Sequence, residues 1–340
     1  MDKPVDLDAL ATWMNEQNLG KGPITDVNSL SGGTQNIMFR FKRDDRDYIF
    51  RHPPKHPRPE SNRVMQREGT VLKALAGSDV PHPGFIAGCW DEKPMGAYFF
   101  LMEPIDGFNP INVMPHNIND TPEYCRRMGF SHIEAIAALG RLDFKAVGLE
   151  EFGKPDKFLE RQAGRWLGQI ERYSNIPQWD GHKDLGDFEA IATWLNDNIP
   201  NSYQPGILHG DCHIANAMFS KDNGEIEALI DWEMSTIGDP LIDLGWVMAT
   251  WPVGANFSMF DIGDISNLPN LEDLISHYGE HSDRNLDSIN WYGVLACYKL
   301  GSILEGTYAR AQGGKAPMKT GQQLHSNTIH LFNNARAMMG

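Results

Sequence analysis

One stretch of the chain, Ile207 to Asp231, constrains the fold more than any other. It reads ILHGDCHIANAMFSKDNGEIEALID, which is a short apolar entry, a polar loop, and two apolar runs separated by Asp-Asn-Gly. The Asn223-Gly224 pair between apolar runs predicts a β-hairpin, because a tight turn of this kind needs residues that tolerate positive φ. Residues at equal distances from the turn face each other, so the pattern predicts Asn216 beside Asp231 at the open end of the hairpin.

Oxygen-bearing side chains converge at that open end. Asp211 lies on the polar loop that leads into the hairpin, and Asn216 and Asp231 bracket the two strands. Amide and carboxylate oxygens suit Mg²⁺, which usually takes one or two protein ligands and completes its shell with water and substrate phosphate. A carboxylate that does not bind the metal can accept a proton from a hydroxyl nucleophile. The stretch therefore predicts a metal site, Asn216 and Asp231, with a general base beside it, Asp211.

This arrangement resembles the catalytic loop of the aminoglycoside phosphotransferase family, which is protein-kinase-like and reads H-G-D-x-H-x-x-N, followed by a strand that ends in I-D. The segment from Asp231 to Trp246, DWEMSTIGDPLIDLGW, is also similar to the phosphotransferase domains of some acyl-CoA dehydrogenase family proteins. The resemblance covers roughly residues 24 to 312. It implies that Asp211 is the catalytic base and that Asn216 and Asp231 are the metal ligands.

A second constraint comes from Glu68, which falls on the apolar stripe of a helix predicted from Glu60 to Leu75. An unpaired buried charge is costly, so this carboxylate needs a partner. Arg51, at the end of the preceding predicted strand, is the nearest candidate. The pair resembles the kinase ion pair between a strand Lys and a helix Glu, with an Arg whose fork geometry differs from that of Lys. The alternative for Glu68 is a place at the rim of the stripe.

The resemblance also implies a nucleotide site. Gly32, Gly33 and Thr34 match the phosphate-covering loop by their place between the first two predicted strands, although an ordinary hairpin turn has the same composition. Glu103 to Gly107 breaks the strand pattern where the family has the hinge whose backbone receives adenine, so Glu103 and Ile105 are expected to bind nucleotide. The implied cofactors are ATP, with GTP possible, and Mg²⁺.

The fold implied by the resemblance is α+β and two-lobed, as in protein kinases. A small N-terminal lobe over residues 1–103 would hold an N-terminal helix, an antiparallel sheet and the nucleotide. A large helical lobe over residues 104–340 would hold the catalytic loop and the acceptor site. The residues themselves agree, because apolar positions alternate from Ile37 to Phe41 and recur with a helical period after Pro122.

Composition limits the partners and the compartment. The net charge is −15 with no run of Lys or Arg, which argues against nucleic acid or an anionic membrane surface. No apolar stretch is long enough to span a membrane, and the N-terminus lacks a signal-peptide core. The four Cys are widely spaced, which favours a reduced, cytoplasmic location. The expected partners are a nucleotide and a small hydroxyl-bearing metabolite, while the oligomeric state stays open.

The function that these features favour is transfer of the γ-phosphate of ATP or GTP to a hydroxyl of a small molecule, with hydroxyacyl compounds suggested by the acyl-CoA dehydrogenase resemblance. One alternative is a catalytically inactive kinase-like binding protein. It is motivated by Arg51 in place of Lys and by a phosphate-covering loop with two glycines only. Another is a metal-dependent hydrolase, since His209, Asp211 and His213 spell H-x-D-x-H, which could clamp Zn²⁺. Glu233 is a further candidate for the metal or substrate site.

Overall fold

A computed structural model describes residues 5–30, 36–111, 114–115, 121–201, 203–252, 262 and 267–340 of the chain. The predicted phosphate-covering loop, Gly32 to Thr34, lies outside the described residues. Among the described helices, none is both long enough and apolar enough to cross a membrane.

The N-terminal part is built on a five-stranded antiparallel sheet with the strand order β1-β2-β3-β5-β4. Its strands are β1 Ile24–Ser29, β2 Ile37–Arg43, β3 Arg46–His52, β4 Phe85–Cys89 and β5 Phe99–Met102. Alternation directs Phe39, Phe41 and Phe50 to one face, where all three are fully buried. Helix α1, Leu7–Glu16, covers that face with Leu10 and Trp13.

The other face of the sheet packs against α2, Ser61–Ala74, through Met65, Val71 and Leu72. Glu68 lies on the same buried stripe, as the sequence predicts, and is 2% exposed. Strand β3 and helix α2 therefore meet in an interior that excludes water. A charged side chain buried there, such as Glu68, needs a partner of opposite charge.

The remainder of the chain is mainly helical. Its helices are α3 Pro122–Arg141, α4 Gln162–Glu171, α5 Phe188–Asp197, α6 Leu241–Thr250, α7 Leu271–Glu280, α8 Ile289–Gln312 and α9 Met318–Met338. Helix α8 is apolar almost all round and is buried among its neighbours α4, α6 and α9, as a central helix must be.

Two short antiparallel ribbons lie against the helices and carry the polar loop. Strands β7 Ala217–Phe219 and β8 Ile226–Leu229 form the predicted hairpin. Strands β6 Gly206–Leu208 and β9 Thr236–Gly238 form the second ribbon. The sequence pattern did not predict it, because its short strands are far apart in the chain and no turn signal links them. The two-lobed α+β architecture is present, while the boundary at residue 103 stays a prediction.

The last helix is longer than the sequence predicts. The Gly- and polar-rich composition after Gln312 predicts a helix only from about Asn327, whereas α9 already begins at Met318. Gly321 explains the difference, since a Cβ at that position would lie 2.5 Å from the side chain of Ala311 on α8. This glycine permits close helix packing and does not mark a loop, so its helix-breaking tendency is overridden.

Candidate active site

The polar loop after β6 is held by one carboxylate of α6. Asp243 Oδ2 accepts the His209 backbone N–H at 2.7 Å, and its Oδ1 accepts the Gly210 N–H at 2.8 Å. Burial raises the pKa of Asp243 to about 6, against these two hydrogen bonds, which favour the ionised form. Gly210 has a φ of +84°, and a Cβ there would lie 2.6 Å from the Met234 carbonyl oxygen. Only glycine combines a positive φ with such a close approach, so this position of the loop requires glycine.

Asp211 is the next residue, and both of its carboxylate oxygens have donors. Trp246 Nε1 donates to Oδ1 at 3.0 Å, and Asn216 Nδ2 donates to Oδ2 at 3.1 Å. Burial raises the pKa of Asp211 to about 7, while the positive charge of Lys299 opposes that shift. His213 Nε2 lies 3.4 Å from Oδ1. The carboxylate is thus fixed in orientation and is near the protonation state at which it can exchange a proton at neutral pH.

The hairpin brings Asn216 and Asp231 together at its open end, as the register predicts. The Ile230 N–H donates to the Asn216 carbonyl oxygen at 2.9 Å, next to Asp231. Because the Asn216 amide nitrogen is directed to Asp211, its Oδ1 is left as an acceptor. Asp231 has a φ of +67°, a left-handed conformation that is uncommon for a residue with a side chain. Strain of this kind is typical of residues whose orientation serves a site.

Arg51 reaches this hairpin from the sheet. Its Nε donates to Glu68 Oε2 at 2.8 Å, and its Nη2 donates to Asp231 Oδ1 at 2.7 Å. Burial tends to lower the pKa of Arg51, but the charges of Glu68 and Asp231 outweigh it and raise the pKa above its ordinary value. Burial raises the pKa of Glu68 to about 7, with the Arg51 charge opposing the shift. The predicted partner of Glu68 is therefore in contact with it, and the same guanidinium also contacts a candidate metal ligand.

Four of these residues, Arg51, Glu68, Asn216 and Asp231, line a cleft of about 640 Å³ between the sheet and the helical part. The volume is within the range of small-molecule and cofactor sites. Glu103 and Ile105, the predicted hinge residues, lie on the wall of the cleft. The Glu103 N–H already donates to the Gly84 carbonyl at 2.8 Å, so its backbone can offer a ligand only its carbonyl oxygen. Apolar side chains cover the rest of this wall, among them Leu30, Ile49, Leu72, Met102, Phe108, Met218 and Ile230.

The donor set at the floor of the cleft fits a hard divalent cation. Asn216 Oδ1, the Asp231 carboxylate and the neighbouring Glu233 all belong to the cleft lining and offer oxygen atoms only. Burial, and after it the Asp231 charge, raises the pKa of Glu233. Such mutual repulsion between carboxylates is what a bound cation relieves. The residues fit Mg²⁺, which Asn216 and Asp231 would hold.

The alternative zinc site on His209 does not fit the geometry. His209 Nε2 donates to the Ile230 carbonyl at 3.1 Å, and Nδ1 accepts the Asp211 backbone N–H at 3.3 Å. Burial lowers the pKa of His209 to about 4, so the ring is neutral and both nitrogens serve the loop backbone. A histidine used in this way has no lone pair left for a metal.

Another group of ligand-type side chains lies away from the cleft, where α3 meets α7. Glu134, His277 and His281 offer atoms that are all within 4.8 Å of one another. However, both oxygens of Glu134 accept from Arg127, at 2.7 and 2.6 Å, and one of them also contacts His277 Nε2 at 2.8 Å. This ion-pair network accounts for the cluster without a metal.

Two residues of the site, Trp246 and Lys299, were not predicted from the sequence. Trp246 belongs to the quoted motif and follows Asp243 by three positions, so helical spacing could have indicated that both side chains face the loop. Lys299 interrupts an apolar helix, and a charged residue on a buried stripe is itself a signal, as for Glu68. The sequence gives no sign of which loop the lysine contacts.

Solved structures with this fold include aminoglycoside phosphotransferases. A putative aminoglycoside phosphotransferase from Ralstonia eutropha matches with a TM-score of 0.79 at 25% identity, covering 98% of this chain and 99% of that chain. An aminoglycoside phosphotransferase in complex with GDP and kanamycin matches with a TM-score of 0.64 at 16% identity, covering 98% and 99%. The second likeness is of fold alone. The predicted two-lobed, protein-kinase-like fold is confirmed.

A model of the phosphotransferase enzyme family matches residues 26–263, and the chain belongs to that family. Among curated proteins, acyl-CoA dehydrogenase family member 11 of Gallus gallus is 27% identical over 307 residues, which is 87% of this chain and 38% of the chicken protein. Family member 10 of Mus musculus is 27% identical over 299 residues, 86% of this chain and 27% of the mouse protein. The chain thus spans well under half the length of these relatives.

Proposed function

We propose that the protein transfers the γ-phosphate of ATP or GTP to a hydroxyl group of a small-molecule acceptor. The observation that carries the proposal is the convergence of Asp211, Asn216 and Asp231 at one end of a hairpin, with Arg51 reaching them from the sheet across the cleft. A phosphoryl transferase needs positioning and charge stabilisation more than covalent chemistry, and these residues supply both.

In this proposal Asp211 orients the acceptor hydroxyl and takes its proton as the oxygen attacks phosphorus. Its fixed orientation, with donors on both oxygens, and its pKa of about 7 support that role. The bond between the γ-phosphorus and the bridging oxygen breaks as the new phosphorus–oxygen bond forms, and the nucleoside diphosphate leaves. Mg²⁺ bound by Asn216 and Asp231 would neutralise charge on the nucleotide phosphates.

Arg51 is proposed to bind the α- and β-phosphates, with Glu68 holding it in place. The buried ion pair at 2.8 Å supports this assignment, because it orients the guanidinium toward the hairpin. The apolar wall beside Ile105 is proposed to receive the nucleotide base, with the Glu103 carbonyl and the Ile105 N–H as its edge partners. Gly32, Gly33 and Thr34 are proposed to cover the phosphates. The sheet lobe, residues 1–103, would thus bind nucleotide, and residues 104–340 would present the acceptor.

The acceptor class that we propose is a small metabolite with a free hydroxyl, and hydroxyacyl compounds come first. The motivation is the sequence likeness to acyl-CoA dehydrogenase family members 10 and 11. The panel also includes an aminoglycoside, because the fold is shared with an enzyme whose structure is a complex with GDP and kanamycin. An acidic chain with net charge −15 also has no evident surface for a polyanionic acceptor such as nucleic acid.

The test is a panel of hydroxyl compounds incubated with Mg-ATP or Mg-GTP and read by mass spectrometry. The panel contains hydroxy acids, their acyl thioesters, choline, a hexose and kanamycin. A gain of one phosphate on any member, lost in Asp211→Asn, supports the proposal. Nucleotide binding without transfer to any acceptor or to water would instead favour the inactive binding protein.

A further inference from the structure

Lys299 is a charged residue in the interior of the helical lobe. It lies on α8, is 6% exposed, and donates from Nζ to the Gly210 carbonyl oxygen at 2.7 Å. The same ammonium is 4.1 Å from the ring centroid of Trp246, a cation–π distance. Burial lowers the pKa of Lys299 to about 8, while the charges of Asp211 and Asp243 oppose that shift. An apolar residue of similar length would fill the space at less cost, so the contacts of the ammonium require a reason.

Together with Asp243, Lys299 fixes both backbone polar groups of Gly210, the residue before Asp211. The Gly210 N–H is bound by Asp243 at 2.8 Å, and the Gly210 carbonyl is bound by Lys299. Both polar groups of this glycine are thus fixed by two different helices, α6 and α8. A residue without Cβ has unusual conformational freedom, so these two hydrogen bonds determine where the Cα of Asp211 is placed.

The second contact of Lys299, with the Trp246 ring, involves a hydrogen-bond donor to the Asp211 carboxylate. Trp246 presents its ring face to Lys299 and donates its Nε1–H to Asp211 Oδ1 at 3.0 Å. A cation over the face of an indole polarises the ring and restricts its rotation. Lys299 therefore acts on the backbone before Asp211 and on the donor that orients its side chain.

We propose that Lys299 is a positioning residue that, through Gly210 and Trp246, holds the Asp211 carboxylate in the orientation needed for phosphoryl transfer. The inference rests on the proposed role of Asp211 as the base. Lys299 is not in the cleft lining and is assigned no contact with nucleotide or acceptor.

The first test replaces Lys299 by Met, which keeps the length and apolar volume of the stem and removes the ammonium. We expect kcat for the best acceptor of the panel, or for transfer to water if none reacts, to fall about ten- to a hundredfold, the size typical of a small misplacement of a reacting group. The acceptor KM and the Kd for Mg-ATP should change by less than about twofold, since Lys299 acts on neither binding event. Lys299→Arg keeps the charge and should retain more of kcat than Lys299→Met does.

The matched control is Tyr298→Phe, a change at the adjacent position of α8 that removes another buried polar atom. Tyr298 is fully buried and packs against Phe332 of α9, on the side away from the loop. It should leave kcat unchanged. Equal losses of kcat in Tyr298→Phe and Lys299→Met would overturn the inference and assign the effect to general packing of the helix.

The second test places Lys299→Met in the Asp211→Asn background. With the base already removed, positioning it has no further value, so the double variant should have nearly the same kcat as Asp211→Asn. A further tenfold loss in the double variant means that Lys299 does not act through Asp211 and sinks the inference. If Asp211→Asn itself turns over like the wild type, the proposed function fails first. If that function holds and Lys299→Met keeps full kcat, only this inference fails.

Discussion

Arg51 Nη2 and Asp231 Oδ1 form an ion pair of 2.7 Å that joins the sheet to the helical lobe across the cleft. The same guanidinium pairs with Glu68 through a different nitrogen, at 2.8 Å. One side chain thus contacts helix α2 of one lobe and the β7–β8 hairpin of the other. An ammonium has a single nitrogen, whereas the planar guanidinium reaches both carboxylates with a fixed fork. The departure from the Lys of protein kinases therefore has a geometric use here.

Arg51→Lys should weaken nucleotide binding. A lysine ammonium on a shorter, flexible stem cannot hold Glu68 and face the hairpin with equal geometry, so we expect the Kd for Mg-ATP to rise about tenfold, or roughly 1.4 kcal/mol. Isothermal titration calorimetry measures the change, with Arg63→Lys as the control, because Arg63 is exposed on α2 and is not in the cleft lining. An unchanged or lower Kd in Arg51→Lys would show that the fork is not used for phosphate.

The Arg51–Glu68 pair should show strong coupling in a double-mutant cycle on unfolding. The two side chains are 8% and 3% exposed, and removing one partner of such a buried pair costs about 3–5 kcal/mol. Arg51→Met with Glu68→Gln should lose much less than the sum of the single changes, measured by urea denaturation. The exposed pair Arg40–Asp47 on the same sheet is the matched control and should show little coupling. Additive losses at Arg51 and Glu68 contradict the prediction.

Asp211→Asn should remove turnover and spare nucleotide binding. Asparagine keeps the shape and one acceptor for the Trp246 indole but cannot take a proton, so kcat should fall about 10²–10⁴-fold. The Kd for Mg-nucleotide should stay within about twofold, because the proposed metal ligands, Asn216 and Asp231, are unchanged. Asp222→Asn, on the exposed turn of the same hairpin, is the control for a lost carboxylate. Loss of nucleotide binding together with turnover would make Asp211 a ligand instead of a base.

Asp231→Ala should abolish the effect of Mg²⁺ on nucleotide affinity. In the wild type, Mg²⁺ should tighten ATP binding, since the ion links the phosphates to Asn216 and Asp231. The variant removes the charged ligand, so its Kd for ATP should be the same with Mg²⁺ and with EDTA. Calorimetry under the two conditions gives the comparison. If the wild type itself binds ATP equally well in EDTA, the metal assignment is wrong.

His132 should make the fold sensitive to acid. Burial lowers the pKa of His132 from 6.5 to about 3, so between these values the folded state binds fewer protons than the unfolded state. Its contribution to stability is complete above pH 6.5 and is lost as the pH falls toward 3. In His132→Phe a phenyl ring replaces the imidazole and does not titrate. The unfolding free energy of the variant relative to wild type should therefore improve by up to about 1.4 kcal/mol per pH unit on acidification.

Urea denaturation of both proteins between about pH 7.5 and about pH 5 tests this. Glu68, Asp211 and Asp243, whose pKa values are raised by burial to about 7, 7 and 6, shift stability in the opposite sense as the pH falls. Their contributions are common to wild type and variant and cancel in the difference. Parallel stability curves would mean that His132 is protonated, or is solvated, in the folded protein.

The sequence was sufficient for the parts of the site that depend on local spacing. The Asn-Gly signal locates the hairpin, and counting back from it brings Asn216 next to Ile230 and Asp231. The connection itself differs from a tight primed turn, because residues 220–225 join the strands, Gly224 but not Asn223 has positive φ, and the register shifts between Met218 and Phe219. The Glu68 contact also follows, because a charge on an apolar stripe needs a partner and the adjacent strand ends in one. Periodicity failed at Gly321, where a glycine serves helix packing. It also could not give the partner of Lys299, since that contact joins positions 89 residues apart.

The two members of the cleft ion pair are 180 residues apart in the chain. At a synthesis rate of about 5–20 residues per second, Arg51 leaves the ribosome roughly 9–36 s before Asp231 does. Its local partner Glu68 follows by only 17 residues, so the buried charge of Arg51 can be paired early. Bringing Asp231 to Arg51 closes a long loop, a kind of contact that forms late in folding. The nascent chain therefore acquires the proposed phosphate-binding arginine well before it acquires the proposed active centre.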